Sequence, residues 1–258
     1  MKLITIYNWI KHIFKAKKLK QIHSPFLYEL CKKISKPSSI GKHDISKLKL
    51  LRKLYINNKS ELIFNEIGSR EGKIESNVSE VFSRTSKPIN QAIRIAEFAS
   101  IFDEETILEM GTAFGSTTMA ISMAAPKNKI ITIEGVEQIA KIALETFKNN
   151  NLKNIDLKIG SFQRILADII NQNHKISFAF IDGHHLKKPT LEYINILVPA
   201  MSEKSAILID DIYCSKSMTE CWKGLVDNDF FNVKIDFFHF GLLIKNDDLY
   251  ASNFKFSI

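Results

Sequence analysis

From residue 105 onward the chain repeats one pattern five times: a short apolar run, a turn, then a segment whose apolar residues recur at helical spacing. The apolar runs fall at 106–110, 130–134, 155–159, 177–181 and 205–210, and the helical segments at 116–124, 136–150, 161–171, 187–199 and 217–226. Strands separated by helices pair in parallel, because a crossover containing a helix brings the chain back to the same end of the sheet. The pattern therefore predicts an α/β fold of the doubly wound, Rossmann-like kind. The tail adds NVKIDFF and FGLLIK, joined by a very short turn near His239, which reads as an antiparallel pair at the sheet edge. The expected architecture is a mostly parallel seven-stranded sheet with an antiparallel C-terminal edge strand.

The front of the chain follows different rules. Up to about residue 57 it reads as short amphipathic helices, with Ile10, Ile13 and Phe14, then Phe26, Leu27, Leu30 and Ile34, at helical spacing. Ser24 before Pro25 is a helix start. Residues 61–86 read as a less regular connector containing Gly68 and Gly72, and INQAIRIAEFASIF after Pro88 resumes a helical pattern. We therefore expect a helical accessory segment over 1–86 and a cofactor-binding domain over 87–258. Charge divides the same way: residues 1–60 hold 15 Lys/Arg and two acids, residues 61–258 hold 21 Lys/Arg and 26 acids. A basic front end suits RNA, an anionic surface or an acidic partner, and equally a solvated lysine-rich face.

Composition excludes several classes. With 45% hydrophobic and 25% charged residues the chain is an ordinary globular one, not a disordered one. Cys31, Cys214 and Cys221 are odd in number and form no CxxC pair, against a disulfide framework or a zinc knuckle and in keeping with a reducing cytoplasm. The N-terminal apolar run is interrupted by Asn8 and Lys11 and does not read as a signal peptide, and no stretch reaches the roughly 20 apolar residues of a membrane span.

The densest chemical signal is TILEMGTAFGSTTMAIS: an apolar strand ending in Glu109, then Gly111, Thr112 and Gly115, then a helix from Ser116. In a doubly wound sheet, ligands bind beyond the carboxyl ends of the strands, so this first turn is a cofactor position. Glycines four apart do not make G-x-G-x-x-G, and an acid at the strand end would repel a pyrophosphate while suiting an ammonium. The next strand ends in Glu134, placed to accept hydrogen bonds from two ribose hydroxyls. Glu66 to Gly72 also spells E-x-G-x-x-x-G but has no apolar strand ending in an acid after it, and Gly68 and Gly72 read as turn residues.

With these motifs in place, residues from about 88 onward resemble the class I S-adenosylmethionine (AdoMet)-dependent methyltransferases, in particular the catechol O-methyltransferase-like group. The HSPFLYEL segment is similar to that of uncharacterised methyltransferase-like proteins of Bacteroidetes. The resemblance implies that Glu109 and the loop Gly111 to Gly115, Thr112 included, contact the methionine moiety, that Glu134 holds the ribose, and that Gly160, Ser161 and Phe162 flank the adenine.

Two further strand ends carry acids. SFAFIDGHH delivers Asp182 with His184 and His185 beyond it, and AILIDDIY delivers Asp210 and Asp211. Clustered carboxylates suit Mg²⁺ or another divalent cation. The resemblance implies Asp182, Asp210 and Asp211 as metal ligands, with Asp211 standing where that group has Asn, and Asp182 beside the cofactor. It also points to His185, three residues after Asp182, where the group's base is a Lys; an imidazole titrates near neutrality and can accept a hydroxyl proton. His184 is the second candidate for that role. Trp222 and Phe237 to Phe240 read as core or edge packing, and Ser217 with Glu220 as a capping box.

The leading expectation is methyl transfer to a hydroxyl of a small or lipid-linked molecule, metal-assisted or not, with the front helices as a lid or homodimer contact. RNA methylation through the basic front end and a non-catalytic AdoMet-binding role remain open alternatives. The acceptor is not legible in the sequence, because pockets in such folds are built from variable loops.

Overall fold

The computed structural model describes residues 3–66, 72–102 and 104–258. The front carries helix α1 (Leu3–Lys15), a two-residue strand β1 (Ala16–Lys17), α2 (Pro25–Ser35) and α3 (Lys42–Ile56). An antiparallel hairpin follows, β2 (Glu61–Glu66) and β3 (Gly72–Asn77), then α4 (Val78–Thr85) and α5 (Ile89–Ile101). The alternating units are β4 (Thr106–Met110), α6 (Ser116–Ala124), β5 (Ile130–Glu134), α7 (Glu137–Asn149), β6 (Ile155–Ile159), α8 (Phe162–Asn171), β7 (Ile176–Ile181), α9 (Lys187–Leu197), β8 (Met201–Asp210) and α10 (Lys216–Val226). Strands β9 (Val233–Asp236), β10 (Phe240–Lys245) and β11 (Ser252–Phe256) close the chain.

The main sheet runs β1-β11-β9-β10-β8-β7-β4-β5-β6. Strands β4 to β8 are mutually parallel, and β10 is antiparallel to both β8 and β9. Seven strands are thus those expected, but the sheet continues to nine, and the edge beyond β9 is parallel: β9 pairs with β11, and β11 with β1. The antiparallel strand therefore lies inside the sheet rather than at its edge. SNFKF alternates apolar and polar over only five residues, and AK is too short to carry any periodicity, so neither added strand was visible in the pattern. The connector over 61–86 is likewise ordered as the hairpin and α4, while Gly68 lies outside the described residues.

Central strands are buried on both faces, as the alternation of their side chains requires. Ile107, Phe178, Phe180, Ala206 and Leu208 face one core, which also takes Leu27, Leu30 and Ile34 of α2, Leu48 and Leu51 of α3, and Val81 and Phe82 of α4. Leu108, Met110, Ala179, Ile181, Ile207 and Ile209 face the other, filled by α8, α9 and α10. The front helices therefore pack into the same core as the sheet. Tyr55 of α3 stands among Phe82 and Phe114 with ring centroids 5.3 and 5.4 Å away, and its hydroxyl hydrogen-bonds to Thr146 of α7.

Local starts follow capping chemistry. Ser24 caps α2 with Pro25 in its first turn. For α10 the cap is Ser215, whose hydroxyl accepts from Met218 N at 3.1 Å, and not the expected Ser217–Glu220 box. Ser215 already has the extended backbone a cap needs, so Ser217 falls inside the first turn and accepts instead from Lys187 N at 3.0 Å, tying α10 to α9. Trp222 and Phe237, Phe238 and Phe240 are buried packing residues, as read from the sequence. Among its described side chains, helix α1 reverses the usual arrangement: Asn8 and His12 are buried, while Ile10, Ile13 and Phe14 are exposed.

Shared burial makes a test. Ile34→Ala removes a fully buried side chain from α2 and should cost about 2–5 kcal/mol of unfolding free energy for the whole chain. Urea denaturation followed by circular dichroism measures it, and a loss confined to a separate minor transition would show the front helices folding apart from the sheet.

Candidate active site

At the carboxyl ends of β4, β5 and β7 the chain opens a cavity of ≈ 600 Å³. This is the switch point of the sheet, where β5 and β6 lie to one side of β4 and β7 and β8 to the other. The cavity floor is Gly111, Ala113, Glu134 and Gly135, one wall is Gly160, Ser161 and Phe162, and another is Asp182 to His185 with Asp211. Residues before Pro88 complete the rim, namely Phe64, Val81, Arg84, Thr85 and Lys87.

Glu134 is held by backbone: its two carboxylate oxygens accept from Ala113 N and Val136 N, each at 2.9 Å. A carboxylate has about four acceptor positions, so two amides leave capacity facing the cavity. Burial pushes Glu134 above its ordinary value, and the backbone donors oppose that. Glu109, Thr112 and Gly115 sit behind the wall rather than in it. The Glu109 side chain is wholly buried, with one oxygen accepting from Thr118 and Thr132 and the other, Oε1, without a hydrogen-bond partner. Burial pushes its pKa up to about 8, against the two threonine hydroxyls, with Asp182 and Glu134 adding to the rise.

The two glycines work through packing. Gly111 has φ +109, and a Cβ there would lie 2.3 Å from the backbone oxygen of Asp182, so glycine is what lets β4 end against β7. Gly115 has φ +79 and opens α6 where a Cβ would meet the Phe147 ring at 2.6 Å. Phe162 packs edge-on to His184 and Tyr193, and the Tyr193 hydroxyl lies 2.6 Å from His184 Nδ1. Burial, with His185 beside it, holds His184 below the ordinary imidazole value. His185 has φ +44 and brings Nε2 to 3.5 Å from Asp182 Oδ1.

At the centre stands a residue the sequence reading did not include. Lys87 Nζ is 3.1 Å from Asp182 Oδ1 and hydrogen-bonds to Asp210 Oδ2, bridging the ends of β7 and β8. Burial alone would lower Lys87, but Asp182, Asp210 and Asp211 together raise it, so the ammonium stays charged. Asp210 is itself fully buried, and burial with Asp182 pushes its pKa up while Lys87 opposes. Ligand atoms of Asp182, His185 and Asp210 lie within 4.8 Å of one another, the spacing of a cation site, whereas Asp211 is turned differently, with φ +52 and its amide bonded to the His239 carbonyl at 2.8 Å. A divalent ion 2.0–2.6 Å from both carboxylates, about the usual range, would need the space between Asp182 and Asp210 that the Lys87 ammonium fills. Lys87 could be suspected from sequence only as a lysine immediately before a helix-initiating proline; its carbonyl accepts from Arg52 of α3 at 3.1 Å, which fixes the turn.

Comparison with known proteins now adds to the geometry. Residues 108–212 match the family model described as a methyltransferase domain. The matched stretch runs from β4 to just past the end of β8, the part of the chain that carries the cavity floor and walls. A curated relative, the tRNA (guanine-N(7)-)-methyltransferase of Mycoplasma mobile, is 31% identical over 88 residues, which is 34% of this chain and 44% of that protein, so the match spans under half the relative's length. Among solved structures, the S-adenosylhomocysteine-bound methyltransferase PaMTH1 of Podospora anserina aligns with TM-score 0.62 and 13% identity over 88% of this chain and 97% of its own. The Bacillus cereus O-methyltransferase in complex with S-adenosylhomocysteine gives 0.56 and 14% over 84% and 96%. At such identities these likenesses show a shared fold alone.

The buried acid of this domain provides a pH test. Glu109, with its folded pKa raised, contributes stability that is present below the ordinary carboxylate range and lost as pH rises through about 8. Glu109→Gln, which keeps an acceptor for Thr118 and Thr132, should therefore lose less thermal stability than the parent between pH 6 and pH 9 in cofactor-free protein. Parallel Tm-against-pH curves for the two would show that burial does not raise this carboxyl.

Proposed function

We propose that this protein transfers the methyl group of AdoMet to an oxygen nucleophile of a small molecule, with the Lys87 ammonium supplying the positive charge at the site. The observation that carries the reading is Lys87 bridging Asp182 and Asp210 at the mouth of the cavity whose floor is Glu134. Bound AdoMet would supply a sulfonium-activated methyl. Glu134 would accept the ribose hydroxyls, the wall from Gly160 to Phe162 would flank the adenine, and Glu109, with its unpartnered Oε1, would face the ammonium end through the Gly111–Gly115 loop.

His185 is the candidate base, since its imidazole opens on the cavity beside Asp182. Asp182, 3.5 Å from Nε2, orients that ring, so the proton of the acceptor hydroxyl would pass to Nδ1, with general-base assistance worth about 10²–10⁴ in rate. His184, tied to Tyr193, positions the loop rather than taking a proton. Lys87, held by two carboxylates, stabilises negative charge as it develops on the acceptor oxygen. Asp182, Asp210 and Asp211 form the alternative reading, a divalent-cation site, which requires Lys87 to leave the position it occupies. The O-methyltransferase fold neighbours support hydroxyl acceptors, and the tRNA methyltransferase relative supports RNA only over a short stretch. The segment up to residue 86 would be an accessory unit that shapes the acceptor side, because the rim residues Phe64, Val81, Arg84 and Thr85 fall in it and Lys87 follows directly.

Titration calorimetry with AdoMet and S-adenosylhomocysteine, in EDTA and in Mg²⁺, tests the cofactor and the cation together. Equal micromolar binding in both conditions, weakened by Glu134→Ala, is expected. With an acceptor found by labelled-methyl screening, EDTA should leave turnover unchanged and Lys87→Met should lower it by about 10²–10³, the usual scale for one electrostatic group. Absence of adenosyl binding by folded protein overturns the proposal, and EDTA-sensitive turnover restores the cation site.

A further inference from the structure

Helix α1 is bound to the body of the protein by its polar residues. Thr5 Oγ1 donates to the Tyr213 carbonyl at 3.2 Å, Asn8 Nδ2 to Thr219 Oγ1 at 3.3 Å, and His12 Nδ1 lies 3.0 Å from Asp236 Oδ1. Asp236 also accepts from Lys255, Tyr213 and Phe238 N, so His12 joins a buried polar hub between β9 and β11. What remains outward is Ile6, Tyr7, Trp9, Ile10, Ile13 and Phe14, all exposed, Phe14 at 85%. At about 100° per residue these six occupy one continuous arc of roughly 160°. An apolar arc that includes Trp, Tyr and Phe is costly in water and marks a contact surface.

Charge identifies the contact. Lys11 and Lys15 lie at one border of the arc, and Lys17, Lys18 and Lys20 follow the helix, all exposed. No acidic residue precedes Glu29. Two copies meeting through this face would bring these lysines together with no acid from α1 to offset them, which disfavours a self-contact. An apolar arc with Trp and Tyr beside a row of lysines matches an anionic lipid surface, where the rings and aliphatic chains enter the acyl boundary and the ammonium groups meet headgroup phosphates. Single-stranded RNA would use the lysines and some of the rings but leave Ile6, Ile10 and Ile13 without a partner.

We propose that α1 is an interfacial helix that seats this protein on anionic membranes. No described helix is long and apolar enough to cross a bilayer, so the attachment is peripheral and reversible. It holds whichever acceptor the active site takes, because the residues involved are separate from the cavity.

The test is co-sedimentation of the full chain with phosphatidylcholine vesicles and with mixed phosphatidylcholine–phosphatidylglycerol vesicles, with tryptophan emission recorded alongside. Binding to the mixed vesicles that falls with salt, a blue shift from Trp9, and binding about tenfold or more weaker in Trp9→Ser/Phe14→Ser are expected, since two apolar side chains leave the bilayer. Both substituted residues are exposed, so the variant should keep its Tm and its AdoMet affinity. Failure to bind anionic vesicles overturns the proposal. So does equal binding by the double variant, which would leave the lysines acting alone, or tight poly(U) binding that excludes vesicles and ignores the variant. A concentration-dependent dimer abolished by the same variant, with no vesicle binding, would assign the face to a second copy instead.

Discussion

One half-buried ammonium holds the candidate site in register. Lys87 stands between Asp182 and Asp210, at the ends of two adjacent parallel strands, and the alternative to it is two carboxylates facing each other with little water between them. Buried like charges at that spacing cannot both ionise, so the strand ends depend on a cation for their charge state. An ion pair of this kind is not a large net source of stability, because desolvation cancels much of the attraction. Its effect is geometric. It joins the segment just before α5 to the carboxyl edge of the sheet, and Arg52 of α3 secures that segment from behind by holding the Lys87 carbonyl.

The strand ends were legible in the sequence because period and polarity fix them. An apolar run that terminates in an acid puts that acid at the carboxyl edge, so Glu109, Glu134, Asp182 and Asp210 could be placed without coordinates. Loop conformation was not legible. Asp211 and His185 both have positive φ, which no residue-type rule demands of them, and the Asp211 amide bonds to the His239 carbonyl while its carboxylate stays outside the close Asp182–His185–Asp210 group. Lys87 escaped for another reason: it is 123 positions from Asp210, and pairing over that distance leaves no local trace.

Periodicity also has a sign ambiguity that α1 exposes. Helical spacing of Ile10, Ile13 and Phe14 shows that the helix has two unlike faces, and folding normally turns the apolar one inward. Here the inward face needed polar residues because the surface it meets presents the Tyr213 carbonyl, Thr219 and the Asp236 carboxylate. The arrangement was decided by the partner surface, which is assembled from residues more than 200 positions away.

The same logic separates what is general in this molecule from what is particular to it. The cofactor side of the cavity comes from strand ends and the turns after them, positions that any doubly wound sheet of this kind must provide. The opposite rim comes from the hairpin strand carrying Phe64, from Val81, Arg84 and Thr85 of α4, and from Lys87. One side of the cavity is therefore written in the alternating half of the chain, and the opposite rim in the front. Because the front packs into the same core as the central strands, through Phe82, Tyr55 and Phe114, a change in its helices alters the shape of this rim and the position of Lys87 together. Shape and charge at the rim are thus not independently adjustable.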